Sequence, residues 1–133
     1  MAILRPMPHV IALVDDLIFL SRIREAARAA GIEVRAVRNG SQLVDAARQE
    51  GRLVLVDADS ERLPWMAALA ALRADARVAA LPVVAFVSHV HADRAQAARA
   101  AGASRVLARS AFVEQLPELV AQAGHPRPEQ PVP

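Results

Sequence analysis

Apolar runs of strand length alternate along this chain with longer, alanine-rich segments of helical period. The runs cover residues 9–14, 32–38, 52–57, 82–87 and 104–108 and read as strands, while segments near 17–30, 40–50, 62–74, 91–101 and 112–123 read as helices. The first and third runs, Val10 to Val14 and Leu53 to Val56, are hydrophobic throughout, as suits strands covered on both faces at the centre of a sheet. In the second run Glu33, Arg35 and Arg38 intervene among Ile32, Val34 and Val37, the alternation of an edge strand. Phe112, Leu116, Leu119, Val120 and Ala123 recur at helical spacing and give the last helix one apolar stripe. Gly31 and Gly102 stand where the first and fourth helices should stop, and Ser41, with Ser60 or Ser110, where helices should be capped. Five βα units with short connections predict an α/β fold, a parallel sheet wound on both faces by helices. Gly124 to Pro133 holds four prolines in ten residues, so a domain over 1–123 should give way to an extended tail or linker over 124–133.

Two acids, Asp15 and Asp16, follow the first apolar run, and a third, Asp57, follows the third run. If those strands are neighbours, all three meet at the carboxyl edge of the sheet, where open α/β folds place their ligands. Such a cluster suits a hard cation and phosphoryl chemistry. Without a cation the acids would repel one another and raise a pKa, so a metal or a proton is expected there. The plainer reading makes each acid a polar residue at a strand end, capping the next helix. It suffices for one Asp, but three at two adjacent central strand ends favour an acidic pocket.

Composition narrows the class. A chain of 133 residues builds one domain with a real core, and although 54% of it is hydrophobic, no apolar stretch approaches the roughly 20 residues of a membrane span. The first residues lack an export signal and the chain has no cysteine, hence no disulfide and no thiolate; a soluble cytoplasmic protein is expected. The pI of 10.8 suggests nucleic acid. The net charge is nevertheless only +2, and all 16 basic residues are dispersed arginines with no tyrosine or lysine to titrate near them. No direct nucleic-acid contact and no membrane contact is expected.

Four stretches carry a resemblance: Val14-Asp15-Asp16, Leu55-Val56-Asp57, Leu81-Pro82-Val83-Val84 opening the fourth strand, and Ala101-Gly102-Ala103-Ser104 before the fifth. In this order and spacing the chain resembles the receiver domains of bacterial two-component response regulators, over about residues 8–123. The resemblance implies a CheY-like, flavodoxin-like five-stranded sheet of order 2-1-3-4-5. It implies that Asp57 accepts a phosphoryl group from the phosphohistidine of a histidine kinase or phosphotransfer protein. Mg²⁺ would be held by Asp15, Asp16, Asp57 and the backbone carbonyl of Asp59, oxygen donors of the kind this ion prefers. Beyond its own phosphorylation and dephosphorylation, such a module is not an enzyme.

The departures from the family pattern fall around the pocket. The hydroxyl residue that contacts the phosphoryl group is replaced by Val87, and Ser88 could substitute only through a local bulge, since a one-residue shift turns a side chain to the other face. The family lysine is Arg109, which keeps the charge and can bind phosphate, or can instead hold the empty site closed through a salt bridge to Asp57. Ser110 replaces the proline that usually follows, and Val106 replaces the aromatic switch residue. Asp59 and His89 match positions that modulate dephosphorylation. A downstream protein, or a second copy, would use the fourth helix, fifth strand and fifth helix. With Val87 and Val106 in place, the alternative is a pseudo-receiver acting as a phosphorylation-independent interaction or dimerisation module. A flavodoxin-like enzyme is disfavoured because no glycine-rich phosphate loop follows the first strand. His89 and His91 read as solvated, Trp65 as a packing anchor, and Arg94, Arg99 and Arg105 as a charged surface.

Overall fold

A computed structural model describes residues 9–88 and 92–124. His89, His91 and the tail beyond Gly124 lie outside the described residues. The elements run β1 (His9–Leu13), α1 (Leu17–Ala29), β2 (Glu33–Ala36), α2 (Gly40–Arg48), β3 (Gly51–Asp57), α3 (Trp65–Ala74), β4 (Val83–Val87), α4 (Ala92–Ala100), β5 (Arg105–Ala108) and α5 (Arg109–Gln122). All pairings are parallel, as the apolar pattern anticipates, and the sheet order is β2-β1-β3-β4-β5, as the resemblance implies. The half-polar run is the edge strand β2, and β1 and β3, which carry the continuous apolar runs, lie inside the sheet.

Alternation along the strands divides the core into two layers. Ile11, Leu13, Val54, Val56, Ala85 and Val87 face α2 and α3, where Leu43, Leu69 and Leu72 meet them. Val10, Ala12, Leu53, Leu55, Val84 and Phe86 face α1 and α5, against Ile23, Phe112 and Leu116. The chain's three phenylalanines all belong to the second layer. Phe86 lies with its ring centroid 4.9 Å from that of Phe19 and 4.4 Å from that of Phe112. Each such buried ring contributes about 1.5–3 kcal/mol relative to exposure.

Helix ends show where local chemistry shifts the boundaries. Gly31 and Gly102 adopt φ of 71° and 112°, a left-handed turn that stops α1 and α4 at little cost for glycine. Asn39 rather than Ser41 caps α2, its Oδ1 accepting from the Gln42 amide at 2.9 Å. α3 starts at Trp65 instead of 62, because Pro64 disfavours helical geometry at Leu63. Ser60 still caps a turn there, accepting from the Leu63 amide at 3.0 Å. α5 begins at Arg109, directly after β5 and three residues before the expected 112, so Ser110 lies inside its first turn and no side chain caps it. Among the described residues no helix is long and apolar enough to cross a membrane.

Candidate functional site

Register brings the acids together. Leu13 pairs with Val56, so the β1–α1 loop leaves the sheet beside the end of β3, and Asp57 in turn pairs with Phe86 of β4. Val87 pairs with Ala108, which delivers Arg109 to the same edge. An open cavity of about 390 Å³ lies there, bounded by Asp15, Asp16, Asp57, Asp59 and Arg109, with Ser60, Glu61 and Arg62 completing its rim.

Asp16 serves both readings made of it. Its Oδ1 caps α1, accepting from the amides of Ile18 at 2.9 Å and Phe19 at 3.2 Å, and this turns Oδ2 toward Arg109 Nη1 at 3.2 Å. The Phe19 amide, with Arg109 behind it, holds the Asp16 carboxyl below the usual range. Asp15 is half-buried and lies 4.0 Å from Arg62 Nε on the opposite rim.

Asp57 is 2% exposed. Burial pushes its carboxyl upward, against the Asp59 amide, which donates to Oδ1 at 3.0 Å, and against the charge of Arg109, whose Nη2 lies 3.6 Å from the same oxygen.

Asp59, read from the sequence as a carbonyl donor and a modulator of dephosphorylation, uses its side chain as well. Oδ1 accepts from Arg94 Nη1 at 3.2 Å, and Oδ2 accepts from Arg109 Nε at 3.2 Å and from the Ser88 amide. One carboxylate thus joins the β3–α3 loop to the segment after β4 and to the start of α5. Burial works against the charge of Arg109, but its contacts with Asp16, Asp57 and Asp59 hold its pKa above the usual value.

The substituted positions sit apart from these polar contacts. Val87 is 1% exposed and packed in the α2–α3 layer, and Val106 packs against that layer from β5. Ser88 is exposed, and its backbone amide joins the network through Asp59.

Sequence reasoning did not find the Asp59 carboxylate as a hub, nor Arg94 as its partner. It also missed Phe19, whose ring lies 4.5 Å from Arg109 Cζ. The signal available was an Asp two residues past the strand end, facing a fold edge with two arginines.

Mg²⁺ is tested by this geometry. Asp15, Asp16, Asp57 and the Asp59 carbonyl are oxygen donors of the right chemistry. Their disposition differs from a ligand set: Asp16 Oδ1 is engaged as a helix cap, and the Arg109 guanidinium lies against Asp16, Asp57 and Asp59. Among the described residues no group of three or more His, Asp or Glu side chains is arranged to hold a metal ion. As disposed, the residues do not fit a divalent ion.

A doubly wound α/β sheet with acids from adjacent strands at its carboxyl edge defines the class, and solved structures narrow it. A response regulator from Hahella chejuensis is similar with a TM-score of 0.74 and 21% identity, over 90% of this chain and 98% of that one. The chemotaxis response regulator CheY4 of Vibrio cholerae gives 0.71 at 19% identity, over 88% and 98%. The receiver domain of a sensor histidine kinase from Pseudomonas aeruginosa, with a magnesium ion coordinated in its active-site cleft, gives 0.64 at 22% identity, over 86% and 98%. No family model matches the chain, and no curated protein matches it significantly. The chain has the CheY-like fold of response-regulator receiver domains.

Proposed function

We propose that this chain is a receiver-type signalling module of a two-component pathway, with Asp57 as acceptor of a phosphoryl group from the phosphohistidine of a kinase or phosphotransfer partner. The supporting observation is the convergence of Asp57, Asp16, Asp59 and Arg109 on one open cavity. Both contacts of Asp57 fall on Oδ1, so Oδ2 is the oxygen we assign to attack. It bonds to phosphorus, the donor's N–P bond breaks, the departing imidazole nitrogen takes up a proton, and an acyl phosphate remains. Arg109 offsets charge on the transferring group, the main demand of phosphoryl transfer. A Mg²⁺ ion at Asp15, Asp16, Asp57 and the Asp59 carbonyl would first have to displace that guanidinium. The module works in the cytoplasm over residues 1–123, with 124–133 as a proline-rich tail or linker, and performs no turnover beyond its own phosphorylation and dephosphorylation.

Beryllofluoride, a phosphoryl mimic, tests the reading through amide shifts at residues 57, 59 and 109, recorded with and without Mg²⁺. Saturable shifts in the wild type that vanish in Asp57→Asn support an acceptor; their absence under both conditions refutes it. Val87, buried where a hydroxyl would contact the phosphoryl group, favours a second reading. In it the chain signals without phosphorylation, through protein contacts or self-association on α4, β5 and α5.

A further inference from the structure

Arg109 presents each of its three guanidinium nitrogens to a different carboxylate: Nη1 to Asp16 at 3.2 Å, Nη2 to Asp57 at 3.6 Å and Nε to Asp59 at 3.2 Å. Its face is covered as well, with Cζ 4.5 Å from the Phe19 ring centroid and 5.5 Å from that of Phe86. One ring lies on the helix that Asp16 caps and the other on the strand beside Asp57, since Phe19 is in α1 and Phe86 of β4 pairs with Asp57. Carboxylates at the nitrogens and an aromatic ring against the plane make a fitted seat for a planar cation. A lysine, a compact point charge with a single nitrogen, would not reproduce this planar fork.

We propose that Arg109 is the resident cation of this pocket, seated by Asp59, and that it stands in for a divalent ion and excludes it. An entering Mg²⁺ must compete for Asp16 and Asp57 with a charge tethered beside them, and is repelled by that charge until it leaves. Asp59 supplies the hold. Its side chain is only 11% exposed and is braced from outside by Arg94 and the Ser88 amide, so it fixes Nε in place. The inference goes beyond phosphoryl acceptance and stands whether or not Asp57 is an acceptor.

The test is titration of the whole chain with MgCl₂ against NaCl of matched ionic strength. Amide shifts at residues 16, 57 and 59 and the thermal midpoint are followed in wild type, Arg109→Gln, Arg109→Lys and Asp59→Asn. The wild type should show no saturable shift and no Mg²⁺-dependent midpoint at millimolar Mg²⁺. Arg109→Gln should gain saturable binding, tighter by about tenfold or more, and a midpoint that Mg²⁺ raises. Asp59→Asn and Arg109→Lys should gain binding to a lesser degree, and they decide the matter if Arg109→Gln does not fold. A wild type that binds Mg²⁺ as tightly as the variants overturns the proposal, and so does a set in which no variant gains binding. Neither outcome bears on the beryllofluoride response of Asp57, so the two proposals fail separately.

Discussion

Arg109 Nε and Asp59 Oδ2 lie 3.2 Å apart and join the first residue of α5 to the loop that follows β3. Because the same carboxylate accepts from Arg94 and from the Ser88 amide, the carboxyl edge of the sheet is held by one acid in contact with α4, the segment after β4 and the start of α5. A network of side-chain ion pairs thus gathers the loops at this edge.

Replacing the hub should therefore cost stability as well as alter the pocket. Asp59→Ala strands the Ser88 amide and frees two guanidinium groups at a side chain only 11% exposed, and should lower unfolding stability by about 2 kcal/mol. Asp59→Asn keeps an acceptor oxygen and should lose less. Urea unfolding of both variants measures this, and midpoints equal to the wild type would show that the carboxylate carries no load.

Asp16 and Asp57 should respond to pH in opposite senses. Asp16 has a folded pKa below its unfolded value, so its stabilisation is present above the usual carboxylate range and fades as pH falls through the folded pKa. Asp16→Asn should thus be less stable than the wild type at neutral pH, with the gap closing in acid. Asp57 has a folded pKa raised by burial, so its contribution is full below the usual range and is lost as pH rises through the folded pKa. Asp57→Asn should be the more stable protein at neutral pH, with that gap also closing in acid. Denaturant midpoints across the acid range, wild type against each variant, give the two signs directly.

Far from the pocket, Arg73 fastens two connections, α3–β4 and α4–β5, through three backbone carbonyls. It donates to Ala79 at 2.7 Å, to Leu81 at 2.8 Å and to Gly102 at 3.0 Å, with burial depressing its pKa. Arg73→Met keeps the apolar stem but leaves those carbonyls unpaired, a loss of about 2–3 kcal/mol. Gly102→Ala should act on the same clamp, because a Cβ there would lie 2.8 Å from Arg73 Cγ at a φ of +112°. Left-handed strain and the clash together should cost about 1–3 kcal/mol. Thermal unfolding measures both, and neither variant should move the amides of residues 16, 57 and 59.

The periodicities that drive burial made the edge strand and the two central strands legible in the sequence, and the full sheet order came from the receiver resemblance. Asp15, Asp16 and Asp57 were legible as a set because strand ends converge at one edge of such a sheet, and Arg109 was legible through the receiver resemblance. What stayed hidden depended on side-chain direction. Nothing in the order of residues says that Asp59 turns its carboxylate to Arg94 and Arg109 at once, or that Phe19 lies against a guanidinium. The starts of α3 and α5 were misplaced for a related reason. Pro64 delays one helix, whereas α5 follows β5 without the connecting turn that its apolar stripe, beginning at Phe112, suggested.

Val87 offers the sharpest test of how far the pocket departs from an acceptor site. The side chain is 1% exposed at the end of β4, next to the strand whose last residue precedes Arg109. Val87→Thr preserves shape and adds a hydroxyl. Burying that group should cost about 1–3 kcal/mol wherever it finds no partner. Under the proposed function, the hydroxyl at this position gains a partner when a phosphoryl oxygen or its mimic is bound. The variant should accordingly be less stable than the wild type alone and should bind beryllofluoride more tightly, and the ligand should recover part of the lost stability. Ser88→Ala is the control, since Ser88 joins the network through its backbone amide and its removal should leave the beryllofluoride titration unchanged. Equal titrations for wild type and Val87→Thr would mean that the end of β4 does not face the bound group. A changed titration in Ser88→Ala would instead assign the hydroxyl role to Ser88.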